Sequence, residues 1–305
     1  MRLSILDQVP LTEHTRMPAE AVQSGLRLAE EAEALGFHRI WYAEHHRSRS
    51  FASTAPEMMT ALALERTDHI RVGTGGILLP LYRANKAAEV MGLLGHVHGD
   101  RVDTGVGRAA LDDPTYGEKI ATLVDELGQL HEPVDAEPAG RVWVLGAGGS
   151  TAPLAGSLGA GYAHGHFFVP RGGEAATAAY REAATVHEHG APTVLAVRAV
   201  TAEDPERAQA LADAMLLWRA RKDLGHDGPI PSAETTAAHE WNEQERTRAK
   251  ARSKAIIAGT PDQVASELEA LADAHGADEV MVNTLTSDPD DRLASYRLLA
   301  EHLAR

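Results

Sequence analysis

No cysteine occurs among the 305 residues. The chain therefore holds no disulfide, no thiolate-ligated cluster or haem, and no cysteine nucleophile. Basic residues are scarce: 29 Lys and Arg face 44 Asp and Glu, a formal net charge of -15. That charge repels phosphate backbones and anionic lipid, which argues against a general nucleic-acid or membrane-surface role. Long hydrophobic runs are missing too, since no window approaches the ~18 apolar residues of a membrane span. The apolar run Leu3 to Leu6 follows Met1 without a basic n-region, so no secretory signal is expected. What remains is a chain with 44% hydrophobic residues, only 5% aromatic residues, and charges scattered throughout. Such a composition predicts a soluble, cytoplasmic, globular protein.

Short β-like runs alternate with longer amphipathic helical runs, an order that predicts a parallel sheet with helical crossovers. Eight strands are expected: Arg2 to Leu6, Arg39 to Ala43, Ile70 to Gly76, Arg101 to Gly105, Val142 to Gly146, Tyr162 to Phe167, Thr193 to Val200 and Glu279 to Asn283. Between the first two, Ala21, Leu28, Ala32 and Leu35 form one stripe of a helix that stops at Gly36. Pro56 precedes a helix from Glu57 to Glu65, while Asp204-Pro205 and Thr260-Pro261 read as capped helix starts. Eight β/α units are the arithmetic of a TIM barrel spanning residues 1–305 as one domain, although a doubly wound open sheet shows the same alternation. Gly225 to Lys254 interrupts the rhythm, lacks an apolar stripe in its first half, and reads as a solvated insertion or lid. His131 to Gly140 reads as a loop and the helix after Arg108 as short.

Function in such a barrel sits at the C-terminal ends of its strands. Strand one ends in Asp7 and strand two in Glu44, His45 and His46, a cluster able to supply a general base or metal ligands. Strand three ends in Thr74, Gly75 and Gly76, where glycines let a flat ligand lie against the main chain. Strand four leads into Arg108, suited to gripping a phosphate. Strand five runs into Gly148, Gly149, Ser150 and Thr151 at a helix start, offering free amides and hydroxyls to the same group or, more simply, an N-cap. His164 and His166 alternate and so face one way, but the companions of a metal site are missing; packing is the preferred reading, and no metal is expected. The pairs His96 and His98, and His187 and His189, read as solvated or as partners of helix C-termini.

Taken in order, Ser4-Ile-Leu-Asp7, Ala43-Glu-His-His46, Val72-Gly-Thr-Gly-Gly76, Gly105-Val-Gly-Arg108 and Leu145-Gly-Ala-Gly-Gly149 resemble the bacterial luciferase-like flavin-dependent monooxygenases. The tail from Gly259-Thr-Pro-Asp262 to Arg292-Leu-Ala-Ser-Tyr-Arg297 resembles them as well. The resemblance implies a TIM barrel that binds reduced FMN at its mouth and reacts it with molecular oxygen to a flavin C4a-peroxide. Oxygen then passes to a small or medium organic metabolite of specialised metabolism.

By position, the resemblance makes His45, preceded by Glu44, the active-site histidine. It sets Thr74, Gly75 and Gly76 beside the isoalloxazine, where the family often carries an unusual cis peptide. It gives Arg108, with Gly148, Gly149, Ser150 and Thr151, the flavin phosphate. It implies a separate NAD(P)H flavin reductase and a homodimer paired through helices around Glu57 to Glu65 and Asn85 to Leu94, with Ala87, Ala88 and Gly92 allowing close approach. The sequence departs from the family's pattern in Pro80-Leu-Tyr-Arg-Ala-Asn85 and in Ala109-Ala-Leu-Asp112, so the pocket rim is remodelled there. An F420-dependent hydride-transfer oxidoreductase uses the same barrel and is the alternative, as is a non-catalytic flavin-binding subunit.

Overall fold

The computed structural model describes residues 1–130, 142–185 and 192–303. The expected loop His131 to Gly140, and the pair His187 and His189, lie outside the described residues. Eight parallel strands close a barrel: β1 (Arg2–Asp7), β2 (Arg39–Tyr42), β3 (Arg71–Thr74), β5 (Val102–Gly107), β6 (Val142–Gly146), β7 (Gly161–Gly165), β8 (Thr193–Thr201) and β10 (Glu279–Asn283). Closure comes from β10 pairing with both β1 and β8, with Val282 opposite Ile5 on one side and Val197 on the other. Two short strands are additional: β4 (Ile77–Leu78) pairs with β5 and β9 (Ile257–Gly259) extends β8. Neither is long enough for its alternation to be read from sequence alone.

Alternation along each strand separates the two faces. Leu6, Trp41, Trp143, Ala163, Val194, Ala196 and Met281 pack together inside the barrel. Ile5, Ile40, Tyr42, Val144, Tyr162, Leu195, Val197 and Val282 pack outward against the helices. Those helices are α1 (Pro18–Ala34), α2 (Pro56–Leu64), α3 (Ala84–His98), α4 (Tyr116–Leu130), α5 (Thr151–Ser157), α6 (Gly173–Ala184), α7 (Pro205–Asp223), α8 (Ala233–Ala237), α9 (Glu243–Arg252), α10 (Pro261–His275) and α11 (Pro289–Leu303). Their starts follow local chemistry: the Asp204 carboxylate accepts from the Glu206 N–H at 3.0 Å, and the Thr260 N–H donates to Gln263 Oε1 at 3.0 Å in a capping box. At 15 residues α4 is not the short helix expected after Arg108.

The barrel floor is ionic. Asp103 accepts from Arg39 at 2.7 Å, Arg71 at 2.6 Å and the Trp41 indole at 3.1 Å, and Arg39 also reaches Glu279 at 2.9 Å. Burial alone would raise the Asp103 carboxyl, but the Arg39 and Arg71 guanidiniums outweigh it and hold Asp103 below the usual range. The network ties four strands together, and the Arg39 guanidinium lies 4.8 Å from the Trp143 ring centroid. Asp7 faces outward, where it holds α11 through Arg292 at 3.1 Å.

The insertion is more ordered than a solvated lid. Residues 225–254 contain α8 and α9, bury Ile230, Ala233, Thr236, Glu245 and Ala249, and run beside the segment after β1, Ile230 N–H donating to Leu11 O at 2.9 Å. Asp227 fastens it to the loop after β2, accepting from the Arg49 N–H and the Ser50 hydroxyl, each at 2.5 Å, and from Lys222 at 2.6 Å. The result is a helical cap over one side of the mouth. Among the described residues no helix is long and apolar enough to cross a membrane.

Candidate active site

Beyond Tyr42 the chain leaves β2 as Ala43-Glu44-His45-His46, and the two middle residues take different surroundings. The Glu44 carboxylate is buried and accepts from the Leu78 N–H at 2.7 Å and the Tyr82 hydroxyl at 2.6 Å; His46 also bonds to it. It thus brackets the end of β2 to the segment that follows β3. This is the rim where the sequence departs from the family's pattern, and the departure supplies Tyr82.

His45 is half-buried, with its ring 4.2 Å from that of Phe51. Its Nε2 lies 3.2 Å from Gln8 Nε2, and the Gln8 Oε1 accepts from Arg198 Nη2 at 3.2 Å. Arginine only donates, so the Gln8 oxygen must face Arg198 and the Gln8 amide N–H must face His45. Nε2 of His45 is then the acceptor, and the proton of the neutral ring sits on Nδ1, a buried atom without a hydrogen-bond partner. Burial pushes the imidazole down to about 3, and the Lys222 charge acts in the same direction. The geometry therefore holds a neutral imidazole whose N–H is buried and whose Nε2 is taken by Gln8. It does not offer the free, readily protonated base that an unperturbed histidine would supply.

Arg198 completes this chain of side chains. Its Nε donates to Asn283 Oδ1 at 3.0 Å, and Asn283 Nδ2 donates to Leu6 O at 2.9 Å. Phe167 and Trp218 flank the guanidinium at 4.9 and 5.4 Å. Burial lowers its pKa to about 9, with Arg219 and Arg252 adding to the shift, so it remains charged at neutral pH. Above it α7 contributes Leu211, Met215 and Trp218, and the cap contributes Ile230, in one cluster with Phe51.

On the opposite side of the mouth, the Gly75–Gly76 peptide is cis and follows β3 directly. A Cβ at Gly76 would stand 2.7 Å from Gly105 O, so only glycine fits between these strands. The Thr74 hydroxyl is fully occupied with β5, donating to Gly105 O at 2.8 Å and accepting from the Gly105 N–H at 2.9 Å. It stitches the two strands and has no donor left for a ligand.

Arg108 emerges from β5 and Gly148 to Ser150 from β6, adjacent strands whose Val106 and Val144 are in register. The Arg108 side chain is exposed, 6.0 Å from the Tyr116 ring centroid, and pairs with no carboxylate among the described residues. Gly148 and Gly149 have φ of 114° and 69°, open to glycine and strained for other residues. Ser150 begins α5, but its hydroxyl makes no capping bond; Thr151 is buried with its methyl against Gly146. Thus Arg108, the glycines and Ser150 come together, while Thr151 packs inward.

His164 and His166 point to the helical layer, not into the barrel. Their rings lie 5.8 and 6.2 Å from that of His275 on α10. Among the described residues no group of three His, Asp or Glu side chains is arranged to hold a metal ion. Gln8, Phe51, Arg198, Trp218 and Asn283 escaped the sequence reading. One signal was there: Arg198 is the charged residue of the strand Thr193 to Thr201, and it shares the inward parity of Val194 and Ala196.

Comparison with known proteins agrees with this architecture. The family profile described as luciferase-like monooxygenase matches residues 1–120 and 109–279. The YceB protein of Bacillus subtilis is 33% identical over 99% of both chains, and the N-acetyl-S-alkylcysteine monooxygenase of Bacillus subtilis is 29% identical over 99% of this chain and 98% of its own. The crystal structure of apo-MsnO8 superposes with a TM-score of 0.82 at 32% identity, covering 99% of this chain and 98% of that one.

Proposed function

The chain belongs to the luciferase-like monooxygenase family, and from that premise we propose that it is a reduced-FMN-dependent monooxygenase acting on a small or medium organic metabolite. Members of the family use FMN or F420, and the full-length similarity to an N-acetyl-S-alkylcysteine monooxygenase favours oxygen transfer. The observation that carries the choice is at the phosphate end. An exposed guanidinium without a carboxylate, two glycines of positive φ and a serine hydroxyl not spent on capping fit a terminal phosphate group. The flat glycine segment after β3 fits a ring system.

When bound, reduced FMN supplies the electrons that activate molecular oxygen. The residues have simpler tasks. Arg108 and Ser150 hold the phosphate, with Gly148 and Gly149 permitting the turn; Gly75 and Gly76 give the ring a surface without side chains. Glu44 fixes the rim through Leu78 and Tyr82. His45 stays neutral at the rim, held by Gln8 in the tautomer whose Nε2 accepts and whose Nδ1 proton is buried. Phe51 and Trp218, under the cap, exclude water from one side. A separate NAD(P)H flavin reductase delivers the reduced flavin, and the protein works as a homodimer.

The test is an anaerobic titration of reduced FMN, reduced riboflavin and F420 against wild type and Arg108→Ala. Wild type is expected to prefer reduced FMN over riboflavin. Arg108→Ala should lose about 10- to 100-fold in FMN affinity, the worth of a charge-assisted contact, and leave riboflavin unchanged. Binding of F420 alone would move the protein to hydride transfer, and indifference to all three ligands would make it a non-catalytic subunit.

A further inference from the structure

Three arginines are buried among the described residues: Arg39, Arg198 and Arg292. Arg39 is paired with Asp103 and Glu279, and Arg292 with Asp7. Arg198, only 4% exposed, has no carboxylate partner among the described residues. Its oxygen partners are the neutral amides of Gln8 and Asn283, which take Nη2 and Nε. Among the described residues Nη1 makes no hydrogen bond, and it is not among the polar atoms sealed from solvent. The charges that act on the group, Arg219 and Arg252, are of its own sign and already paired with Asp223.

Burying a cation without a counter-charge is costly, and it persists where a ligand supplies the charge. The group is also preorganised. Two amide oxygens fix the plane of the guanidinium, and Phe167 and Trp218 pack on it, so little side-chain freedom remains to be lost on binding. It faces inward near the mouth end of β8, one Gln8 side chain away from His45.

We propose that Arg198 is the substrate-anion subsite of this enzyme, taking the carboxylate of an organic acid whose remaining part lies toward His45. The inference rests on the monooxygenase reading for what is then done to the acid, but the binding itself does not require flavin. It narrows the substrate class to organic acids.

The experiment compares matched pairs, phenylacetate with phenylacetamide and octanoate with octanamide, by calorimetric titration with and without FMN. Wild type, Arg198→Met and Arg198→Lys are used, with circular dichroism to check the fold. In wild type each acid should bind about tenfold or more tightly than its amide, as expected when an anion meets a charged donor. The preference should vanish in Arg198→Met and survive in part in Arg198→Lys, which also serves if the methionine variant does not fold. Equal binding of acid and amide to wild type, no binding of either, or an acid preference that Arg198→Met retains would overturn the proposal. So would a variant that loses reduced-riboflavin affinity alone, because Arg198 would then serve the flavin ring. Failure of wild type to bind reduced FMN, with acid preference intact, counts against the monooxygenase reading and leaves this one standing.

Discussion

A carboxylate buried at a strand end persists only where donors surround it, and Glu44 has the Leu78 N–H, the Tyr82 hydroxyl and the His46 ring. Removing it strands the Leu78 N–H in the rim. Glu44→Ala is therefore expected to lower unfolding free energy by about 2–3 kcal/mol, with Glu44→Gln losing less because its amide oxygen still accepts. Urea unfolding measures this, and a loss below ~0.5 kcal/mol for the alanine variant would remove the bracketing role. The cluster Glu44-His45-His46 was legible because its members are consecutive at a strand end. The group formed by Gln8, Arg198 and Asn283 was not, because it exists only once β1, β8 and β10 have closed in register. Sequence names His45, but the tautomer of His45 depends on a hydrogen-bond chain that starts at Arg198.

At the scale of elements, β7 shows what alternation reveals and what it hides. His164 and His166 were expected to face one way, and they do, but the period of two does not say which face is the core. The structure turns His164 outward, against α6 and α10, beside Tyr162 and His275. Burial pushes its imidazole down to about 4, and neighbouring His275 adds to the shift. The folded state therefore keeps it neutral, while the unfolded chain takes up a proton below the ordinary value of ~6.5. The unfolded state binds more protons in that window, so stability is fully present above about pH 6.5 and falls as the pH drops toward about 4. The loss from this group amounts to about 2 kcal/mol by about pH 5. His164→Gln should flatten the pH dependence of unfolding free energy by that amount between about pH 7 and about pH 5. An unchanged slope would mean that the imidazole takes up its proton equally in the folded and unfolded states. The same scale explains the cap: α8 and α9 lack an apolar stripe because Asp227 and short contacts from Ile230 and Ala233 anchor them.

At the scale of the molecule, the eight β/α units were legible because each announces itself by a change of period, whereas closure, which an open doubly wound sheet lacks, rests on β10 pairing with both β1 and β8. The residues expected to pair two copies turn inward instead. Ala87, Ala88 and Gly92, expected to let a partner approach, are buried against the protein's own core. The large apolar residues exposed on the same two helices are Met58 and Leu62 on α2, and Leu93 and Val97 on α3, the last two 65% and 66% exposed. Spaced four apart on each helix, they make two parallel apolar ridges on packed neighbours. A protein with a net charge of -15 keeps its copies apart by repulsion unless an uncharged face brings them together, and a two-fold axis through such a face sets each ridge against its copy. A homodimer built on it predicts that wild type sediments as a dimer at micromolar protein. Leu93→Glu combined with Val97→Glu should sediment as a monomer, since like charges then meet across the axis, while the far-ultraviolet circular dichroism and the affinity for reduced FMN at the barrel mouth stay unchanged. A dimer that survives both glutamates would place the interface elsewhere on the helical layer, and a monomeric wild type would leave these ridges to some other partner.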